Sequence, residues 1–134
     1  MPKKFHVGNA VLAEYVAKGD RNKHNLVNVY SGDVIVQKFP VDLGFGLYVE
    51  LLRPSPDDLP NEFTIELKFD GKAIVAGRGS AESNVDSTSS VFLIPLFHFT
   101  AQDAGQLELF ISAAGFQKRT LISKRIYSGD VTKR

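Results

Sequence analysis

Phe63-Thr64-Ile65-Glu66-Leu67-Lys68-Phe69 alternates apolar and polar residues, and Leu47-Tyr48-Val49-Glu50-Leu51 follows the same period of two. Successive side chains of an extended strand point to opposite faces. Phe63, Ile65, Leu67 and Phe69 therefore make one apolar face, while Thr64, Glu66 and Lys68 make a polar one. Asp70-Gly71 follows at once, a dipeptide that tolerates the positive φ of a type I′ turn, so Lys72 to Ala76 should return as the hairpin partner. Upstream, Pro54-Ser55-Pro56-Asp57-Asp58-Leu59-Pro60-Asn61 holds three prolines and cannot continue a ladder; it reads as an exposed loop.

The same grammar extends to both ends. Residues 5–17 form a first strand, with Val7, Val11, Ala13 and Tyr15 placed on one face. A polar turn over Lys18 to Lys23 leads into a strand from Leu26 to Tyr30, which Ser31-Gly32-Asp33 bends or bulges before Val34-Ile35-Val36. Phe39-Pro40 marks a break before the strand Leu43 to Arg53. Residues 77–90, GRGSAESNVDSTSS, are small and polar and read as a mobile loop. Val91 to Phe99 is a strand whose Pro95 predicts an edge or a bulge. Gln106 to Ala113 and Lys118 to Tyr127 complete the set. Seven or eight antiparallel strands with no helix predict a single β-sandwich domain over residues 1–134.

Asp103-Ala104-Gly105-Gln106-Leu107 sharpens this expectation. It resembles the Asp-x-Gly-x-Tyr corner that leads into the penultimate strand of immunoglobulin-like sandwiches, with Leu107 standing in the Tyr position. A second resemblance rests on Val11-Leu12-Ala13-Glu14-Tyr15, Lys23-His24-Asn25-Leu26-Val27-Asn28-Val29-Tyr30, Phe39-Pro40 and the strand Leu47 to Leu52. Together they are similar to an uncharacterised family of short bacterial and phage-associated all-β domains with no assigned function. That likeness implies an all-β domain of bacterial or phage origin and transfers no catalytic residues.

Composition narrows the chemistry. The 134 residues include no cysteine, which excludes a disulfide framework, a thiolate nucleophile and a Cys-based zinc site. After Lys3 and Lys4, Asn9, Glu14 and Lys18 interrupt any signal-like apolar run, so the expectation is a soluble cytoplasmic protein without a membrane partner. His6, His24 and His98 show no metal-ligand spacing, and His98 in its apolar strand reads as a structural residue. Serines abound at Ser80, Ser83, Ser87, Ser89 and Ser90 without a Gly-x-Ser-x-Gly elbow. Asp57-Asp58, Glu50 and Glu66 are not brought together by any spacing. No catalytic, metal or cofactor residue is therefore named, and a non-enzymatic module is expected.

Four features remain. Gly77-Arg78-Gly79-Ser80 could cradle an anion in a backbone nest, although no helix start follows and a plain loop is favoured. Gly44 and Gly46 fall on the outward side of a strand, where glycine permits close packing of another backbone. Residues 1–24 carry five basic and two acidic residues and residues 115–134 six and one, against five and twelve between them. If the first and last strands are neighbours, Lys118, Arg119, Lys124 and Arg125 join Lys3 and Lys4 in one basic patch. Such a patch could bind nucleic acid through counterion release, though lysines also protect an edge strand from unwanted pairing, and protection is favoured.

Finally, residues 91–99 hold more apolar side chains than one face can bury. Phe92, Ile94, Leu96 and Phe110 are expected to face outward, as Tyr48 and Leu52 do. They form either a second layer under a loop or a contact surface for a protein partner or a second copy. The contact surface is the expected function; a small-ligand or carbohydrate module, or a weak nucleic-acid binder, is the alternative.

Overall fold

Every alternating segment becomes a strand, and in the central strands the alternation fixes which side is buried. The computed structural model describes residues 3–21, 23–52, 60, 62–80 and 89–129. These residues form β1 (His6–Lys18), β2 (His24–Val29), β3 (Val34–Val36), β4 (Val41–Leu52), β5 (Glu62–Phe69), β6 (Lys72–Ser80), β7 (Ser89–Ala101), β8 (Gly105–Ser112) and β9 (Arg119–Ser128). They make two sheets, in the orders β2-β1-β4-β7 and β3-β9-β8-β5-β6. All pairings are antiparallel except β3 beside β9, which runs parallel. The fold is an all-β sandwich. The Pro-rich loop lies almost wholly outside the described residues, as do residues 81–88.

The two inner faces share one core. Leu47, Val49 and Leu51 of β4 meet Ile65 and Leu67 of β5 and Leu107, Leu109 and Ile111 of β8, all essentially without solvent contact. Each such side chain contributes about 1.5–3 kcal/mol when fully buried. Aromatic rings stitch the layers together: Phe63 of β5 packs on Phe92 of β7 at 6.1 Å and Phe69 on Phe99 at 5.2 Å, while Phe45 packs on Phe97 within the first sheet at 5.6 Å. The turn between β5 and β6 carries positive φ at Asp70 (49°) and Gly71 (82°), as a type I′ turn requires.

Three expectations change in three dimensions. Ser31-Gly32-Asp33 does not bulge one strand. It carries the chain from β2 in the first sheet to β3 in the second, with Gly32 at φ 79°. That crossing raises the strand count to nine among the described residues. Both ends of the loop expected at 77–90 are strand instead: Gly77 to Ser80 belong to β6 and Ser89 and Ser90 to β7. Gly77 and Gly79 are needed in that strand: a Cβ at Gly77 would meet the Phe92 ring, and one at Gly79 the Phe63 ring. The extended backbone paired to β5 is thus no anion nest.

The third change concerns β1. Its pairing with β4 ends at Ala13 opposite Gly46, and Val7, Leu12 and Ala10 rather than Val11 pack against the core. Beyond that point the strand leans across the outer face of β4. A Cβ on Gly46 would lie 2.8 Å from the Val16 nitrogen and 3.0 Å from the Tyr15 carbonyl carbon. Val16 is buried there, apart from the main core. At its far end the hairpin sets the His24 ring against Tyr48 at 5.5 Å. The close backbone approach expected at the outward glycines is present at Gly46 and not at Gly44, whose nearest neighbour is the Leu96 side chain.

The corner before β8 is held without a tyrosine. Leu107 sits in the core, and Asp70 fastens the corner instead: its Oδ1 accepts the Gln106 N–H at 2.7 Å and its own N–H donates to the Gln106 carbonyl at 2.9 Å. Replacing Asp70 with Ala removes that acceptor and places an unsuited residue at positive φ. The variant should lose about 1–2 kcal/mol in a urea melt, whereas Asp70→Asn, which keeps an acceptor oxygen and tolerates the left-handed region, should stay close to the parent. Equal stability of the two variants would show that the clasp is idle.

Candidate functional site

Where the expected contact residues lie depends on one bulge. In the β4–β7 pairing the register shifts between Phe45 and Leu47, opposite Pro95 and Leu96, on a strand that is also a sheet edge. Pro95 thus marks both an edge and a bulge. The extra residue reverses which side chains face inward. Phe92 and Ile94 before the bulge, and Phe97 and Phe99 after it, all pack against the core. Phe92 and Ile94 therefore do not face outward as their position in the apolar run implied. Val91 and Leu93 hold the outward positions before the bulge, and Leu96 and His98 after it. Pro95 signals the irregularity, but which side chains it turns inward is set by the register with the partner strand.

Leu96 is 45 % exposed and Phe110 half-buried, yet they belong to different sheets. Phe110 lies on the outer face of the second sheet under two cations. The Lys118 ammonium stands 4.5 Å and the Lys68 ammonium 5.8 Å from its ring centroid. Such exposed contacts are worth roughly 0.5–1 kcal/mol each. The four expected residues thus form no common surface.

A different surface does emerge. Among the described residues the exposed large apolar side chains are Tyr15, Val27, Val29, Leu52, Val91 and Leu96, and all six stand on the first sheet. Tyr15 and Val27 are direct cross-strand partners in the β1–β2 hairpin. Tyr48 pairs with Leu93 on the outer side of β4 and β7, beside Glu50 opposite Val91. Burial, and secondarily Glu50, push the Tyr48 hydroxyl above its ordinary range. A shallow cavity of about 460 Å³ runs beneath the hairpin between Val11, His24, Leu26 and Tyr48. Facing the other way, Tyr30 stacks edge-on against Phe45 at 5.5 Å, and its hydroxyl is raised by burial first and Glu14 second.

The expected basic patch divides in two. Lys124 and Arg125 lie about 20 Å along β9 from Lys118 and Arg119, at the strand spacing of ~3.4 Å per residue. At that end Lys124 donates to the Gly32 carbonyl at 2.6 Å, and Arg125 pairs with Asp33 at 3.3 Å. The Arg125 backbone N–H, ahead of its guanidinium, holds the Asp33 carboxyl below its usual range. At the other end the first and last segments do become neighbours. Lys3 bridges Phe116 in parallel, the Lys3 N–H donates to Gly115 and the Gln117 N–H returns to the Lys3 carbonyl. Phe5 is buried there and stacks on Phe116 at 4.7 Å. Arg119 donates to the Phe5 carbonyl at 2.8 Å. Between the two segments opens a cavity of about 520 Å³ lined by Lys4, Phe5, His6, Gln117, Lys118, Arg119 and Thr120.

Among the described residues no group of three or more His, Asp or Glu stands together to hold a metal ion. No helix among the described residues is long and apolar enough to cross a membrane. No protein-family model matches the chain, and no curated protein matches it.

Proposed function

We propose that this protein is a non-enzymatic, immunoglobulin-like binding module that engages a protein surface, a second copy of itself included, through the outer face of its first sheet. Three features support the immunoglobulin-like reading. The strand β3 runs parallel to β9 at one edge of the second sheet, β8 and β9 form an antiparallel pair, and the Asp103–Leu107 corner connects the sheets. Kinship with the uncharacterised bacterial and phage-associated β-domains fits the same architecture and stays part of this proposal.

One observation carries the functional reading: every exposed large apolar side chain of the described residues is on one sheet, while the second sheet presents none. Clustering of that kind marks protein contacts, because isolated surface apolar residues would scatter over both faces. A nucleic-acid reading has less support, since Lys124 and Arg125 are already engaged by Gly32 and Asp33.

The test introduces charge at two exposed positions, Val91→Asp with Leu96→Asp, and uses Phe110→Ala on the opposite face as the control. Sedimentation over a wide concentration range, with capture from lysate, should show an assembly kept by the control and lost in the double variant. Thermal melts of all three proteins should remain cooperative. A parent that stays monomeric and captures nothing dependent on Val91 and Leu96 would sink the proposal.

A further inference from the structure

We propose that the cavity between the Lys3–His6 segment and the start of β9 binds a compact phosphate-bearing ligand, of the class of phosphate monoesters and diphosphates. This site is built from the segment before β1 and the start of β9, and it does not depend on the contact surface above.

Its lining is chemically one-sided. Lys4, Lys118 and Arg119 bring three cations, His6, Gln117 and Thr120 bring ring, amide and hydroxyl groups, and among the described residues none that lines the cavity is acidic. Among the described residues none of the three cations forms a salt bridge, whereas Arg125 pairs with Asp33 and Lys68 with Glu66. Like charges held together without a counter-charge repel one another, and a bound polyanion relieves that repulsion. A tetrahedral phosphate accepts hydrogen bonds from several directions at once, which a mixture of ammonium, guanidinium and amide donors can meet.

The site is also held in place. Lys4 is flanked by the Lys3–Gly115 and Gln117–Lys3 backbone hydrogen bonds and by Phe5, which is only 2 % exposed. One Arg119 nitrogen is anchored on the Phe5 carbonyl, which aligns the guanidinium and leaves its other N–H groups for a ligand. Lys118 rests over the half-buried Phe110 ring, a contact it can exchange for a phosphate oxygen. At about 520 Å³ the cavity falls within the roughly 300–1,000 Å³ typical of small-molecule sites.

Extended nucleic acid fits less well. A backbone-tracking groove needs cations at successive phosphates, and the next pair along β9 is already held by Gly32 and Asp33.

The experiment titrates the full-length, isotope-labelled protein with pyrophosphate at constant ionic strength and follows backbone amide shifts. Saturable shifts confined to residues 4–6 and 117–120 are expected. Lys118→Ala and Lys4→Ala should each weaken binding about tenfold, the loss typical of one charge-assisted hydrogen bond. Lys124→Ala should leave the affinity unchanged. Both lysines to be replaced are exposed, and the amide spectrum reports folding of each variant in the same measurement. Absence of saturable shifts, or shifts that survive loss of both lysines, would overturn the site. So would a single-stranded oligonucleotide that binds more tightly than pyrophosphate and also perturbs Lys124 and Arg125, which would identify a nucleic-acid stripe instead.

Discussion

Gly46→Ala should destabilise the protein by about 3 kcal/mol, at the upper end of the usual cost of overpacking. A Cβ at this position would stand 2.7 Å from the Pro95 carbonyl oxygen, 2.8 Å from the Val16 nitrogen and 3.0 Å from the Tyr15 carbonyl carbon. These are backbone atoms of two different strands. No rotamer change relieves the clash, so either β1 lifts from β4 or the Pro95 bulge opens. Both movements would disturb the proposed contact face. Gly44→Ala is the matched comparison: its nearest neighbour is the Leu96 Cδ1 at 3.4 Å, an ordinary contact, and alanine loses less backbone entropy than glycine. Urea midpoints should fall sharply for Gly46→Ala and barely move for Gly44→Ala, with similar slopes. Equal midpoints would mean that β1 does not cross β4 at this point.

Phe45→Ala should cost still more, about 3–5 kcal/mol, the range for emptying an aromatic site in a packed core. The side chain is fully buried on β4 and joins Tyr30 on one side to Phe97 on the other. Its loss opens a cavity between the chain that crosses from β2 to β3 and the inward face of β7. Because total stabilities run at about 5–15 kcal/mol, the variant should lie near its unfolding midpoint in mild denaturant. The near-ultraviolet signal of Tyr30 should weaken before the β-sheet signal is lost. A loss under about 1 kcal/mol would mean that the neighbouring side chains collapse fully into the space. Phe110→Ala, on the outer surface under Lys68 and Lys118, should change stability far less, and the contrast between the two phenylalanines separates core from surface.

The sequence by itself determined the all-β class, the turn at Asp70-Gly71 and the buried faces of the central strands. In β4, β5 and β8 a period of two acts on residues flanked by neighbours on both sides, so Leu47, Ile65 and Leu109 had only one face to bury. It also marked Gly44 and Gly46 as sites of close backbone approach and Pro95 as an irregularity. Tertiary structure decided what those irregularities did. Which way Phe92, Ile94 and Leu96 point is set by the extra residue opposite Gly46, a relation between two strands some fifty residues apart that no local pattern contains. Ser31 to Asp33 looks the same in sequence whether it bends a strand or changes sheets, and the choice rests on β3 finding β9. The basic residues were visible one by one. Only the pairing of Lys3 with Phe116 gathered Lys4 with Lys118 and Arg119, and only the packing of β3 on β9 gave Asp33 to Arg125. A site is made by side chains that meet in space, and that meeting is settled by long-range pairing rather than by local pattern.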